Sequence, residues 1–344
     1  VAQLDGIRRA AAEQARRPTS GIDDIAAYCE AQNLDADHRD VLGPQLAGGG
    51  AGGVVVLDGS IVAEWGDPRR PEMAFSATKS IVSLVAGTAF DDGLFALDAP
   101  VVDTVELSQF GEPPADRITW RHLLEQTSGW DGQLWGKPAV ADAQARLPGS
   151  APPGAGPGEG WAYNDVRVNL ACLALTVLLR RPLPEVLAER IMAPVGASAG
   201  WAWHGYRNSV VRVDGRDLPV VSGGAHWGGG LWISALDLAL IGELYRRHGR
   251  GLVSSTWIDL SWTPSAARSD YGLLWWLNDH RTVFPTAPAT GRAARGNLGR
   301  HLLWIDPARD LVIASHWSEN IEELLREVSA CVPATPLSRT AGNP

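Results

Sequence analysis

The stretch that most constrains this chain is Phe75-Ser76-Ala77-Thr78-Lys79-Ser80, which runs straight into Ile81-Val82-Ser83-Leu84-Val85-Ala86-Gly87. It predicts a buried helix that starts at Ser76, reaches about Asp91 and ends at Gly93. Residues three apart share a helix face, so the Lys79 ammonium can reach the Ser76 hydroxyl. A serine at a helix N-terminus also sees the positive end of the dipole, which favours an alkoxide and the oxyanion it generates. Partial burial would lower the Lys79 pKa toward neutrality, where the amine accepts a proton. Of 30 Lys and Arg residues only Lys79 and Lys137 are lysine. Arginine cannot act as a base in a protein, so a lysine kept at this position points to base chemistry. The competing reading is an N-cap serine followed by a solvated lysine.

Composition removes several function classes. The net charge of −9 argues against nucleic acid and anionic membrane as partners. The longest apolar run, Asn169 to Leu179, is too short to span a bilayer and reads as a core helix. Eight histidines show no H-E-x-x-H or similar spacing, so neither a metal nor another cofactor is expected. The G-x-G-x-x-G spacing within Gly48 to Gly53 precedes a strand instead of following one, which makes it a lead-in and not a dinucleotide loop. Cys29, Cys172 and Cys331 are odd in number and far apart, and no disulfide framework follows from them. With no secretion signal at Val1-Ala2-Gln3-Leu4-Asp5, the expected location is cytoplasmic. The sequence leaves the oligomeric state open.

Residues 1–42 read as two short helices joined at Pro18-Thr19-Ser20-Gly21. Val54 to Leu57 and Ile61 to Trp65 flank Asp58-Gly59 and predict a hairpin. From Leu97 to Pro219 short helices alternate with Pro/Gly-rich loops; the loop from Ala151 to Gly158 leads into a helix over Val166 to Leu179. Ser234, with Asp237 three residues on, caps a helix to His248. Tyr271 to Trp276, Leu302 to Ile305 and Leu311 to Ala314 read as strands, and Ile321 to Ala330 as a closing helix. Strands at both ends and helices between them predict an α/β (α+β) fold: one antiparallel sheet built from both chain ends, flanked by helices, with a mostly helical insertion. The expected units are 1–72 with 223–344, the first 42 residues being a helical extension, and 73–222, which carries Ser76, Lys79 and Tyr163.

Tyr163 stands in Trp161-Ala162-Tyr163-Asn164-Asp165, where a buried phenol near Lys79 would relay the Ser76 proton; a core tyrosine is the alternative. Several stretches resemble, in order from about residue 52 to 330, the serine β-lactamase and penicillin-binding-protein family. The nearer likeness is to its class C-like branch of hydrolases and esterases. They are Ser76-Ala77-Thr78-Lys79 with Asp92-Gly93-Leu94-Phe95-Ala96-Leu97-Asp98, then Ile118 to Gly129, then Pro157-Gly158 with Tyr163-Asn164-Asp165, Gly228-Gly229-Gly230-Leu231-Trp232, and Trp304-Ile305-Asp306-Pro307. The resemblance implies Ser76, Lys79 and Tyr163 as catalytic residues. It puts Asp165 where the family usually has an asparagine touching substrate and lysine, with Asn164 as a substitute. It places the third motif at Leu298-Gly299-Arg300-His301, with Arg300 as the candidate cation and the His301 N–H completing an oxyanion hole with that of Ser76. His226 is a candidate cleft residue, and Trp130 either lines the rim or packs in the core.

Gly196-Ala197-Ser198-Ala199-Gly200 fits a nucleophile elbow, but no strand precedes it and no helix follows. The reading that results is a serine hydrolase that forms an acyl-enzyme on Ser76 and cleaves an ester or amide of a small molecule or short peptide. A transacylase, or a catalytically decayed binding module of the same fold, are the alternatives. With no lysine in the third motif and a carboxylate at 165, poor β-lactam hydrolysis is expected.

Overall fold

The computed structural model describes residues 1–19, 24, 25, 27, 49–142, 144, 147–224 and 230–335. The second helix expected before residue 42 lies outside the described residues, as does His226.

Six antiparallel strands form the main sheet, in the order Trp276–Leu277, Arg292–Gly296, His301–Asp306, Leu311–His316, Gly52–Leu57, Ser60–Trp65. The first hairpin turns at Asp58 and Gly59, both in the left-handed region (φ 47° and 75°), which suits the twist of the strands it joins. Val54 pairs with Ala314 and Val55 with Ile313, so the two chain ends meet in the middle of the sheet. Side chains alternate between its faces. Val55, Leu302, Trp304 and Ile313 meet Ile7, Leu324, Leu325 and Val328 of the helices Ala2–Arg16 and Ile321–Cys331. Val54, Leu303, Ile305 and Val312 face Leu238, Ile241 and Leu244 of the Ala235–Arg246 helix. The Ser234 hydroxyl accepts the Asp237 N–H and caps that helix as the sequence indicated.

The Thr78–Asp91 helix meets the strand Arg292–Gly296 of the sheet and packs in turn against the Asp165–Leu179 helix; both are buried along most of their length. The Trp257 indole donates to the Ser83 carbonyl (3.0 Å) and the Ser80 hydroxyl to the Leu274 carbonyl (2.7 Å), which fixes the Thr78–Asp91 helix along its axis.

Two stretches differ from expectation. Residues 271–275 do not form a strand: Leu274 is left-handed (φ 59°), and Tyr271, Leu273, Leu274 and Trp275 all turn into the core. Conversely, Arg292-Ala293-Ala294-Arg295-Gly296 is a strand although it contains no β-branched or aromatic residue. A small second sheet, Glu72–Met73 with Gly230–Ile233 and Ala202–His204, braces the chain just before Ser76.

Candidate active site

Ser76 lies in a single 3-10 turn, Phe75–Ala77, that feeds directly into the Thr78–Asp91 helix. Phe75 is left-handed (φ 49°), an unusual conformation for a bulky residue. It is held there by its ring, which packs on His301 and Trp317 at centroid distances of 4.7 and 5.4 Å. Ala74 is tied by its N–H to the Leu231 carbonyl (2.8 Å). The result is a half-buried Ser76 hydroxyl at the head of a rigid helix.

Lys79 is 1% exposed, and its Nζ donates to Ser76 Oγ at 2.9 Å and to Asp165 Oδ1 at 2.5 Å. Burial alone would lower its pKa; attraction to Asp165, then to Tyr163, outweighs burial and holds the ammonium well above its ordinary value. The resting lysine is therefore charged, contrary to the lowered pKa expected from burial. Tyr163 closes the third side. Its ring lies 4.9 Å from Lys79 Nζ, and its hydroxyl interacts with both Ser76 and Lys79. Burial raises the phenol pKa, Lys79 opposes this, and the net direction is up. Trp161, Tyr271 and Trp276 pack around the Tyr163 ring.

Asp165 is the first residue of its helix and fully buried. Its Oδ2 accepts from Gln144 Nε2 (3.0 Å), while its N–H donates to Asp142 Oδ2 (2.6 Å). Asp142, also fully buried, accepts the Gln144 N–H on its other oxygen (3.0 Å). Burial first and the Asp165 charge second push the Asp142 carboxyl up to about 7.

The beta-lactamase family model matches residues 38–325, most of the chain. The chain belongs to the beta-lactamase family. Its members are serine hydrolases. Solved structures agree on the fold. A penicillin-binding-protein homologue from Caulobacter crescentus superposes with a TM-score of 0.61 at 17% identity, over 92% of this chain and 100% of that one. The structure of SurE with D-Leu gives 0.60 at 19% identity, over 96% and 74%. A penicillin-binding protein from Bacillus halodurans gives 0.58 at 16% identity, over 82% and 95%. No curated protein is similar enough in sequence to match.

Other candidate residues take different places relative to Ser76. A Cβ on Gly296 would come within 2.3 Å of the Ala74 carbonyl oxygen and 3.1 Å of the Ala77 nitrogen. The strand end that abuts the serine is therefore Gly296-Asn297, and only a glycine permits that approach. His301 sits one strand further in, paired with Gly296. Its side chain is buried, with Nδ1 3.0 Å from His316 Nδ1, and burial followed by the His316 and Arg300 charges drives its pKa well below the usual range. Arg300 is ion-paired with Glu319 (2.9 Å). The basic residue nearer the site is Arg295, which the sequence reading missed. Attraction to Tyr163 partly offsets the burial that lowers its pKa, and its guanidinium lies 5.4 and 5.7 Å from the rings of Phe284 and Trp276. Its buried Nε has no hydrogen-bond partner among the described residues. An arginine directly before a glycine was the available signal.

Asn164 does not face the site. It is fully buried, caps the Asp165–Leu179 helix through Oδ1 to the Arg167 N–H (3.0 Å), and donates from Nδ2 to the Ala139 carbonyl (2.8 Å). Trp130 is a core residue, 8% exposed, whose carbonyl accepts from Arg167 Nε (2.7 Å). Ser198 is bound through Oγ and N–H to the two oxygens of Asp237 (2.6 and 2.8 Å), so its hydroxyl serves the fold. Among the described residues there is no cluster of three or more metal-ligating side chains and no helix long and apolar enough to cross a membrane.

Proposed function

We propose that the protein is a serine acyl hydrolase in which Ser76 attacks an ester or amide carbonyl of a small molecule or short peptide. The observation that carries this reading is the 2.9 Å contact between Ser76 Oγ and the buried Lys79 Nζ at the head of a helix. Ser76 loses its proton into the Lys79–Tyr163 pair as its oxygen bonds to the carbonyl carbon. The N–H groups of Ser76 and of the Gly296-Asn297 edge form the oxyanion hole. The leaving alcohol or amine takes a proton back, and water then releases the acyl group. Replacing water by an amine or alcohol acceptor turns the same acyl-enzyme into a transacylase.

In this reading the charge argument against β-lactams weakens. Asp165 is neutralised by Lys79, and Arg295 supplies a cation beside Gly296. Acyl donors bearing an anionic group near the scissile bond therefore fit the site, with Trp276 beside Tyr163 as an apolar contact. The test is intact-mass detection of an adduct at Ser76 with a fluorophosphonate, followed by a panel of esters, amides and β-lactams. Turnover without any adduct on Ser76 would refute the reading, and absence of both would leave a binding module.

A further inference from the structure

We propose that the proton of Ser76 ends on the buried carboxylate pair Asp165–Asp142, with Lys79 as a relay that remains charged throughout and Asp142 as the positioning residue of the pair. The inference rests on Ser76 being the acylated nucleophile. An ammonium that donates to Ser76 Oγ cannot remove the serine proton unless it sheds one of its own. The receiving atom is in place: the same Nζ that lies 2.9 Å from Ser76 Oγ lies 2.5 Å from Asp165 Oδ1.

The step balances. The Oγ–H bond breaks and a new N–H bond forms on Lys79, while another N–H bond breaks and an O–H bond forms on Asp165. The Oγ lone pair makes the C–O bond and the carbonyl electron pair moves to oxygen. One negative charge leaves the carboxylate and one appears on the oxyanion, with the Lys79 cation between them. In the collapse the proton returns by the same route to the departing alcohol or amine.

Asp142 sets the aim and the basicity of Asp165. It accepts the Asp165 N–H and the Gln144 N–H, and Gln144 in turn holds Asp165 Oδ2, which leaves Oδ1 turned to Lys79. Among the described residues the titratable groups around the pair are Lys79 on one helix, Arg167 on the other, Tyr163 before that helix, and Tyr206 and Tyr271, with Lys137 stacked over Tyr206. Burial with the Asp165 charge brings Asp142 to about 7. As Asp142 ionises, its charge makes Asp165 a better acceptor.

The experiment measures kcat/KM for a p-nitrophenyl ester against pH in the native protein, D142N, D165N and the double variant, with fluorophosphonate labelling of Ser76 alongside. In the native protein kcat/KM should rise through a midpoint near 7. In D142N the step near 7 should disappear and kcat/KM should stay near the level the native protein shows below it, because the group that ionises there is gone. In D165N the step should likewise be absent, and adding D142N should then change the profile little. A step near 7 that persists in D142N, or an equal effect of D142N with and without Asp165, overturns the proposal. Should D142N fail to fold, the labelling rate of the native protein in H2O/D2O mixtures decides: two protons in flight give a curved dependence, and a straight line refutes the relay. Absence of labelling at Ser76 in the native protein is the separate failure of the serine reading itself.

Discussion

Lys79 is the counter-ion of a buried acidic cluster, and removing it has a calculable cost. In Lys79→Met the apolar part of the side chain is kept and the ammonium is lost. Asp165, whose side chain is 0% exposed, then faces Asp142 without its bonded cation. Breaking a buried pair by deleting one partner costs about 3–5 kcal/mol, because the remaining charge is uncompensated. At roughly 2 °C per kcal/mol for a chain of this size the melting temperature should drop by about 6–10 °C. The loss has a definite pH dependence. Without Lys79 the folded-state pKa of the carboxyl rises above its unfolded value of about 3.9. Stability from such a group is fully present below the unfolded value and is lost as pH rises through the folded one. The gap between variant and native protein should therefore be small at pH 5 and widest at pH 8. Urea titration followed by tryptophan fluorescence, with 15 tryptophans as reporters, measures it directly. Lys79→Met/Asp165→Asn should recover most of the loss, since the carboxylate that Lys79 contacts is gone with it. A Lys79→Met protein within 1 kcal/mol of the native one at pH 8, or a deficit that does not change between pH 5 and 8, would refute the reasoning.

Ser76→Ala should abolish covalent labelling and turnover while the far-UV spectrum stays native, whereas Ser198→Ala, which removes the hydroxyl's bonds to Asp237 and to the Gly200 N–H, should keep most activity. Lys79→Arg preserves the charge but not a group that can relay a proton, so kcat should fall about 10²-fold or more. Replacement of Arg295 by Met should raise KM about tenfold for an anionic donor such as nitrocefin, in line with loss of one charge-assisted hydrogen bond, and leave a neutral p-nitrophenyl ester nearly unaffected. Equal effects on the two substrates would remove Arg295 from substrate recognition.

Much of the fold was readable because its strong signals are local. The hairpin at Asp58-Gly59, the helix after Ser76 and the Ser234 cap each carry their own turn or cap chemistry, and each formed as expected. Ser76, Lys79 and Tyr163 came from spacing and family likeness, and the fold brings them together. The strand 292–296 was illegible because alanine, arginine and glycine carry no strand preference; its neighbours and the close approach to Ala74 impose the conformation. Missing that strand left Gly296, whose backbone abuts Ala74 and Ala77, and its neighbour Arg295 out of the sequence reading. Asn164 and Asp165 could not be told apart by spacing, since which one turns inward is set by the helix start: the cap takes Asn164, and Asp165 is left facing Lys79. Asp142 carried no signal at all, because a single aspartate in an irregular loop shows its burial only once the chain is folded.

The central strand pair has a consequence for how the protein is made. Gly52–Leu57 finds its partner in Leu311–His316, so neighbours in the sheet are separated by about 250 residues of chain. At a synthesis rate of roughly 5–20 residues per second, the first hairpin waits on the order of 10–50 s for the strand that completes it. Throughout that interval Val54, Val55 and Val56 present an unpaired, apolar strand edge to the surroundings. Nascent chains that stop short of residue 311 hold Ser76, Lys79 and Tyr163 yet lack the strand on which the sheet closes, and they are the species that chaperones must shield and proteases must clear.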